Sequence, residues 1–138
     1  MSGGRLVVVS NRLPLGENPS GGLVVALEDA LKTSGGLWIG FSGEVAQVAS
    51  DHLVFHDGAS FGRASFDLAQ ADFDSYYLGF SNSVLWPMCH GRADLSHILP
   101  EYLEGYRRVN ARIADLMLPH LRPDDRIWVQ DYQLFPLA

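Results

Sequence analysis

An open α/β sheet with mostly parallel strands is the fold class this sequence predicts, and three observations predict it. A compact β-branched run, Leu6, Val7, Val8 and Val9, stands near the start and is bounded by polar residues. Leu23, Val24, Leu27 and Leu31 then recur at helical spacing. Much later, the longest amphipathic helix leads into a second apolar run, Ile127, Trp128 and Val129. Strands alternating with helices are the pattern of a parallel sheet covered by its crossovers.

Each element follows from its residues. The first strand, residues 5–9, is expected to be buried and to lead into a loop rich in proline, glycine and asparagine over residues 14–22. The helix beginning at Leu23 should stop where Ser34, Gly35 and Gly36 supply a permissive backbone. Residues 37–41 read as a second strand, and residues 53–56 and 64–66 as short strands divided by a glycine-containing turn. Residues 67–86 carry an aromatic-rich helical pattern expected to end at Pro87. Residues 101–121 form the clearest helix, with an apolar face of Tyr102, Tyr106, Val109, Ile113, Leu116 and Met117. A turn at Pro123, Asp124 and Asp125 precedes a strand over residues 126–129, expected to be buried.

Composition narrows the function. The 138 residues are 47% apolar and 19% charged, a balance that supports one core and one domain. The formal charge of -6 is interspersed, with no basic stripe to neutralise a nucleic-acid backbone. The early apolar run is too short to cross a membrane and leads into no cleavage site, so a cytoplasmic protein is expected. Cys89 is the only cysteine, which excludes an intrachain disulfide and reads as a small core filler. The histidines at 52, 56, 90, 97 and 120 show no metal-ligand spacing, so no metal is expected.

Ligands of open parallel sheets sit outside the carboxyl ends of the strands. Two segments qualify: Ser10, Asn11 and Arg12, and Gln130, Asp131 and Tyr132. Arg12 can bind a phosphate or carboxylate through its planar guanidinium, or be a solvated surface residue. Gly21 and Gly22 open a helix where free N–H groups and the dipole favour an anion, although the residues by themselves favour a plain turn and cap. They lack both the dinucleotide glycine fingerprint and the Lys-Ser/Thr ending of a phosphate-binding loop, which argues against a generic dinucleotide-binding protein. Asp131 can aim a carboxylate at sugar hydroxyls or cap the segment that begins at Tyr132. Tyr76, Tyr77, Phe80, Trp86 and His90 concentrate rings suited to a sugar face or to the core.

The strings VVVSNRLP, SGGLVVAL, GGLWIGFSGE, YYLGFSNSVLWPMCH, GYRRVNARIAD and RIWVQDYQLFPLA, in that order, closely resemble the trehalose-6-phosphate synthases. The resemblance covers nearly the whole chain apart from residues 45–65. It implies the Rossmann-like N-terminal half of a GT-B glycosyltransferase, cut inside an αβ unit, with the donor-binding C-terminal half missing. The implied reaction is retaining glucosyl transfer from UDP-glucose to glucose 6-phosphate, giving trehalose 6-phosphate and UDP. It needs no cofactor, and the fragment by itself should be inactive.

Matched to the family, Arg12 contacts the acceptor phosphate, and Tyr77 and Trp86 help hold glucose 6-phosphate. Asp131 stands beside the acceptor sugar as the catalytic-site carboxylate, and Gly22, with Gly21, meets the donor diphosphate. The leaving diphosphate helps deprotonate the acceptor, and its cationic partners are expected beyond Ala138. The resemblance leaves a homo-oligomer open, and a non-catalytic sugar-phosphate-binding or regulatory module is the alternative. Gln130 and Gln133 stand where the family often has histidine, and Gly91 where it often has an aromatic residue.

Overall fold

The computed structural model describes residues 3–16, 21–57 and 59–138. Residues 17–20 of the expected loop lie outside them. Five strands form one sheet: β1 (Leu6–Arg12), β2 (Gly36–Ala46), β3 (Val54–His56), β4 (Gly62–Ala69) and β5 (Arg126–Val129), in the order β3-β4-β2-β1-β5. All neighbouring pairs are parallel except β3 with β4. The expected open, mostly parallel sheet is the one found.

Helices cover both faces, because strand side chains alternate and both sets are apolar. Val8, Trp38 and Phe61 bury against Leu27 and Leu31 of α1 (Gly22–Ser34). Val7, Val9, Ile39, Phe66 and Leu68 pack beneath Tyr106, Val109 and Ile113 of α4 (Pro100–Met117). The α4 face is as expected except that Tyr102 is only half-buried, and on α1 Leu23 is 48% exposed.

The segment expected as one α-helix over residues 67–86 differs at both ends and in its hydrogen bonding. Residues 67–69 belong to β4, and a short turn α2 (Gln70–Asp72) follows. A π-helix then runs over Phe73–Leu85 and passes into α3 (Trp86–Cys89), with Pro87 inside its first turn instead of stopping it. Proline is tolerated there because a first-turn N–H needs no intrahelical partner. Cys89 is exposed, so it fills no core.

β5 also departs from expectation: Ile127 is 48% and Trp128 44% exposed. Bulky apolar composition suggests burial, yet among the described residues this strand is the edge and pairs only with β1. Its start is anchored by Arg5, whose Nε and Nη2 donate to the Asp125 carboxylate at 3.0 and 2.7 Å, while Nη2 also donates to the His120 carbonyl.

The Asp125 side chain is 1% exposed, and the Arg5 hydrogen bonds hold its carboxyl below the usual aspartate range. A depressed folded-state pKa contributes stability that is present above about pH 4 and is lost as pH falls through the folded value. Arg5→Ala should cost about 3 kcal/mol near neutral pH, the lower end for breaking a covered pair, since Arg5 stays partly exposed. Denaturant titrations of Asp125→Asn should show a shallower loss of stability below about pH 4 than the parent chain.

Candidate functional site

β1 and β5 lie side by side and run the same way, so their carboxyl ends open at one edge of the sheet. There, Ser10, Asn11, Arg12, Leu23, Val24, Leu27, Trp38, Gln130, Asp131 and Gln133 line a cleft of about 230 Å³. The cleft brings Asp131 together with Arg12 and the first turn of α1, both of which lie more than a hundred residues before it in sequence.

Alternation along β1 sets the role of each residue at its end. Ser10 faces the α1 side, where its Oγ accepts from Trp38 Nε1 and donates to the Arg12 carbonyl, both at 2.8 Å. Asn11 faces the other way, and its Oδ1 accepts from the Tyr76 hydroxyl at 2.7 Å. Burial pushes Tyr76 far above the ordinary tyrosine range, so that hydroxyl remains a donor. Burial likewise pushes Tyr106 up to about 12, and its hydroxyl donates to the Tyr132 carbonyl at 2.6 Å.

Arg12 is the last residue of β1 instead of following the strand, and the register with β2 shifts between Ser10 and Arg12. Its side chain is exposed, and among the described residues it forms no ion pair. A cation with no ion-pair partner among the described residues, at the rim of a cleft, can make charge-assisted hydrogen bonds to an anion.

Asp131 is both a cap and a cleft residue, so the two readings of the sequence coexist. Its Oδ1 accepts from the Tyr132 N–H at 2.8 Å at the start of a 3₁₀ segment, Tyr132–Leu137. Its backbone has φ 78° and ψ 169°, and it is the one non-glycine with positive φ among the described residues. That region is costly for a side chain by about 1–3 kcal/mol and concentrates at functional sites.

Gly21 caps α1 at φ 116°, with no side-chain cap bond and no acidic residue in the first turn. Among the described residues, no atom lies within 4 Å of the position of a Cβ at Gly21 or Gly22. Uncapped N–H groups at a helix start leave the positive end of the dipole unneutralised.

Tyr77 and Trp86 do not line this cleft. Tyr77 is half-buried against Phe73, ring centroids 5.1 Å apart, and Trp86 is 47% exposed and stacked on His90 at 3.9 Å. They do share one wall. Hydrogen bonding from i to i+5 widens the helical turn, so about two turns span nine residues. At 3.6 residues per turn the same pair would face opposite ways. The N–H of Trp86 bonds the Ser81 carbonyl in that wider register. Tyr132, next to Asp131, reaches this wall by donating to Asn82 Oδ1 at 3.1 Å. Burial first, then the charges of Asp131, Tyr77 and Cys89, raise the Tyr132 pKa.

Sequence reasoning missed two contributors, and it named a third, Gln133, only as a departure from the family pattern. The Ser10–Trp38 bond is hidden because Trp38 reads as plain core. Gln133 is 8% exposed on the cleft wall, with Oε1 lacking a partner among the described residues. Asn110 on α4 supports it, donating to the Gln133 carbonyl at 3.1 Å. A polar residue on the apolar face of a helix was the available signal for Asn110.

The open α/β sheet thus carries a cation, a carboxylate on a strained backbone and the first turn of a helix around one cleft at its carboxyl edge, the place where sheets of this class take their ligands. The chain belongs to glycosyltransferase family 20, whose model matches residues 8–138. It is 47% identical over 137 residues to the trehalose-6-phosphate synthase of Klebsiella pneumoniae, covering 97% of this chain and 29% of that protein. The crystal structure of an alpha,alpha-trehalose-phosphate synthase (UDP-forming) from Burkholderia vietnamiensis superposes with a TM-score of 0.93 at 43% identity, covering 98% of this chain and 30% of that one. The Burkholderia xenovorans protein, solved in complex with glucose-6-phosphate, gives a TM-score of 0.87 at 44% identity over 97% of this chain and 30% of that one. The chain therefore spans about 29% of the length of the curated relatives it matches. Among the described residues, no helix is long and apolar enough to cross a membrane.

Proposed function

We propose that this chain forms the acceptor-side half of a retaining glucosyltransferase that passes glucose from UDP-glucose to glucose 6-phosphate, giving trehalose 6-phosphate and UDP. The observation that carries the reading is the one cleft that Arg12 and Asp131 both line, at the ends of adjacent parallel strands. The relative solved with glucose-6-phosphate and the UDP-forming relatives support it.

In this reading the Arg12 guanidinium takes the acceptor phosphate by charge-assisted hydrogen bonds. The Asp131 carboxylate accepts from acceptor hydroxyls, its free oxygen facing the sugar while the other caps Tyr132. Gly21 and Gly22 let the donor diphosphate approach the N–H groups of α1. The Tyr77 and Trp86 wall flanks the acceptor. A second α/β half supplies the cations that stabilise the leaving diphosphate. Sugar phosphates and nucleotide sugars are substrates of the cytoplasm, where we place the protein.

Glucose 6-phosphate titrated into the 15N-labelled chain should shift the amides of Ser10, Arg12 and Asp131. UDP-glucose should shift those of Gly22 and Leu23. Neither ligand should be turned over by these 138 residues, because transfer requires both ligands held together with water excluded. Unmoved Arg12 and Asp131 signals at saturating glucose 6-phosphate would overturn the reading.

Asp131 offers a separate test. Asp131→Gly relieves the positive φ and loses the cap, at a cost of only a few tenths of a kcal/mol. Its melting temperature should equal or exceed that of the parent, while glucose 6-phosphate affinity falls about tenfold. Normal binding by the Asp131→Gly chain would reduce Asp131 to a strained cap.

A further inference from the structure

Arg12 does not extend freely into the cleft. Its guanidinium folds back across β2, with Cζ 5.9 Å from the Phe41 ring centroid, at the outer limit of a cation–π contact. Against the guanidinium lies Gly43, where φ is +96° and a Cβ would clash with Arg12 Cζ and Nη2 and fall 2.8 Å from Nη1. The missing side chain is therefore the floor on which the guanidinium lies.

The floor is built into the sheet. The pairing of β2 with β4 shifts register between Phe41 and Val45, so residues 42–44 bulge toward Arg12. Ser42 holds the bulge: its Oγ accepts from the Glu44 N–H at 3.0 Å and donates to Asp67 Oδ1 on β4 at 2.5 Å. On the other side, Trp38 and Ser10 pin the Arg12 carbonyl. Both ends of the arginine are thus set by β2, the main chain through Trp38 and the head group through Gly43.

We propose that Gly43 is a positioning residue for acceptor-phosphate recognition, its bare Cα and the Phe41 ring presetting the Arg12 guanidinium at the mouth of the cleft. This rests on the reading of Arg12 as the phosphate contact. An arginine side chain has many rotamers to lose, and a preset one loses fewer of them on binding. The atoms displaced by a methyl at Gly43 are the far end of a flexible side chain, so Gly43→Ala evicts the guanidinium without forcing the backbone apart. The left-handed backbone adds a strain that Gly35→Ala reproduces, since Gly35 has φ +63° with open space around it at the far end of α1.

The test is a double-mutant cycle on the 138-residue chain, with glucose 6-phosphate affinity and the Arg12 Nε–Hε NMR signal as readouts. Gly43→Ala should weaken binding about tenfold and move the Arg12 signal toward the position of a free arginine. Gly35→Ala should do neither. The Arg12→Ala/Gly43→Ala chain should bind no more weakly than Arg12→Ala. A loss at Gly43 that persists undiminished in the Arg12→Ala background would be a general structural effect and would overturn the proposal. If Gly43→Ala does not fold, Phe41→Leu removes the ring from the same cradle and must show the same non-additivity. Arg12→Ala binding as tightly as the parent would instead remove the phosphate reading itself, and the proposal with it.

Discussion

Replacing Arg12 with alanine should weaken glucose 6-phosphate binding about fiftyfold while lowering the melting temperature by no more than about 3 °C. The affinity loss corresponds to about 2.3 kcal/mol, within the range for hydrogen bonds to a charged group. The stability loss is small because the side chain is exposed, has no ion-pair partner among the described residues and gives up only a contact at the limit of cation–π range. Calorimetric titration and a thermal melt on the same sample separate the two. Arg12→Lys should recover only part of the affinity, since an ammonium keeps the charge but loses the planar fork. A melt shifted as strongly as the affinity would make Arg12 a structural residue.

Gly40→Ala should produce the opposite balance at first and the same loss in the end. Gly40 sits in β2 beside the end of β1, and a Cβ there would lie 2.6 Å from the Leu13 nitrogen and 2.9 Å from the Arg12 carbonyl carbon. These are backbone atoms, held by the Leu13 N–H bond to the Phe41 carbonyl at 2.9 Å. Nothing flexible can give way, so the strand end must move. Overpacking of this kind costs about 3 kcal/mol, or roughly 10 °C in melting temperature for a domain of this size. Because the displaced backbone carries Arg12, glucose 6-phosphate binding should fall even below the melting transition. Chemical denaturation with a titration in native buffer reads both effects. An unchanged melting midpoint would show that β1 and β2 tolerate a wider spacing than their register implies.

Much of the fold was legible because its signals are local. The strand of residues 5–9 and the α4 face follow from side-chain periods of two and about 3.6, which a burial gradient imposes on neighbours in sequence. Where the context was not local, the reading went astray. β5 has core composition, yet its exposure depends on which strand pairs beside it. Cys89 has a core residue's chemistry but lies past a proline-containing turn that ends outside the core. The π-helix escaped notice because composition does not reveal whether an N–H bonds four or five residues back.

The candidate site divides in the same way. By itself the sequence determined that Arg12 and Asp131 stand at strand ends and that Gly21 and Gly22 open a helix, because strand composition, glycine and amphipathic spacing are short-range properties. Only the tertiary structure decided that β1 and β5 are neighbours, which puts the arginine and the carboxylate around one cleft. It also decided that Tyr77, on a helix of wider turn, and Trp86, just after it, stand outside that cleft, and that Gly43 lies against the Arg12 guanidinium. For the strand neighbours and the Gly43 contact the physical reason is separation along the chain, since they join residues tens to more than a hundred positions apart; for the helix it is the backbone hydrogen-bond register, which closes only when the chain folds.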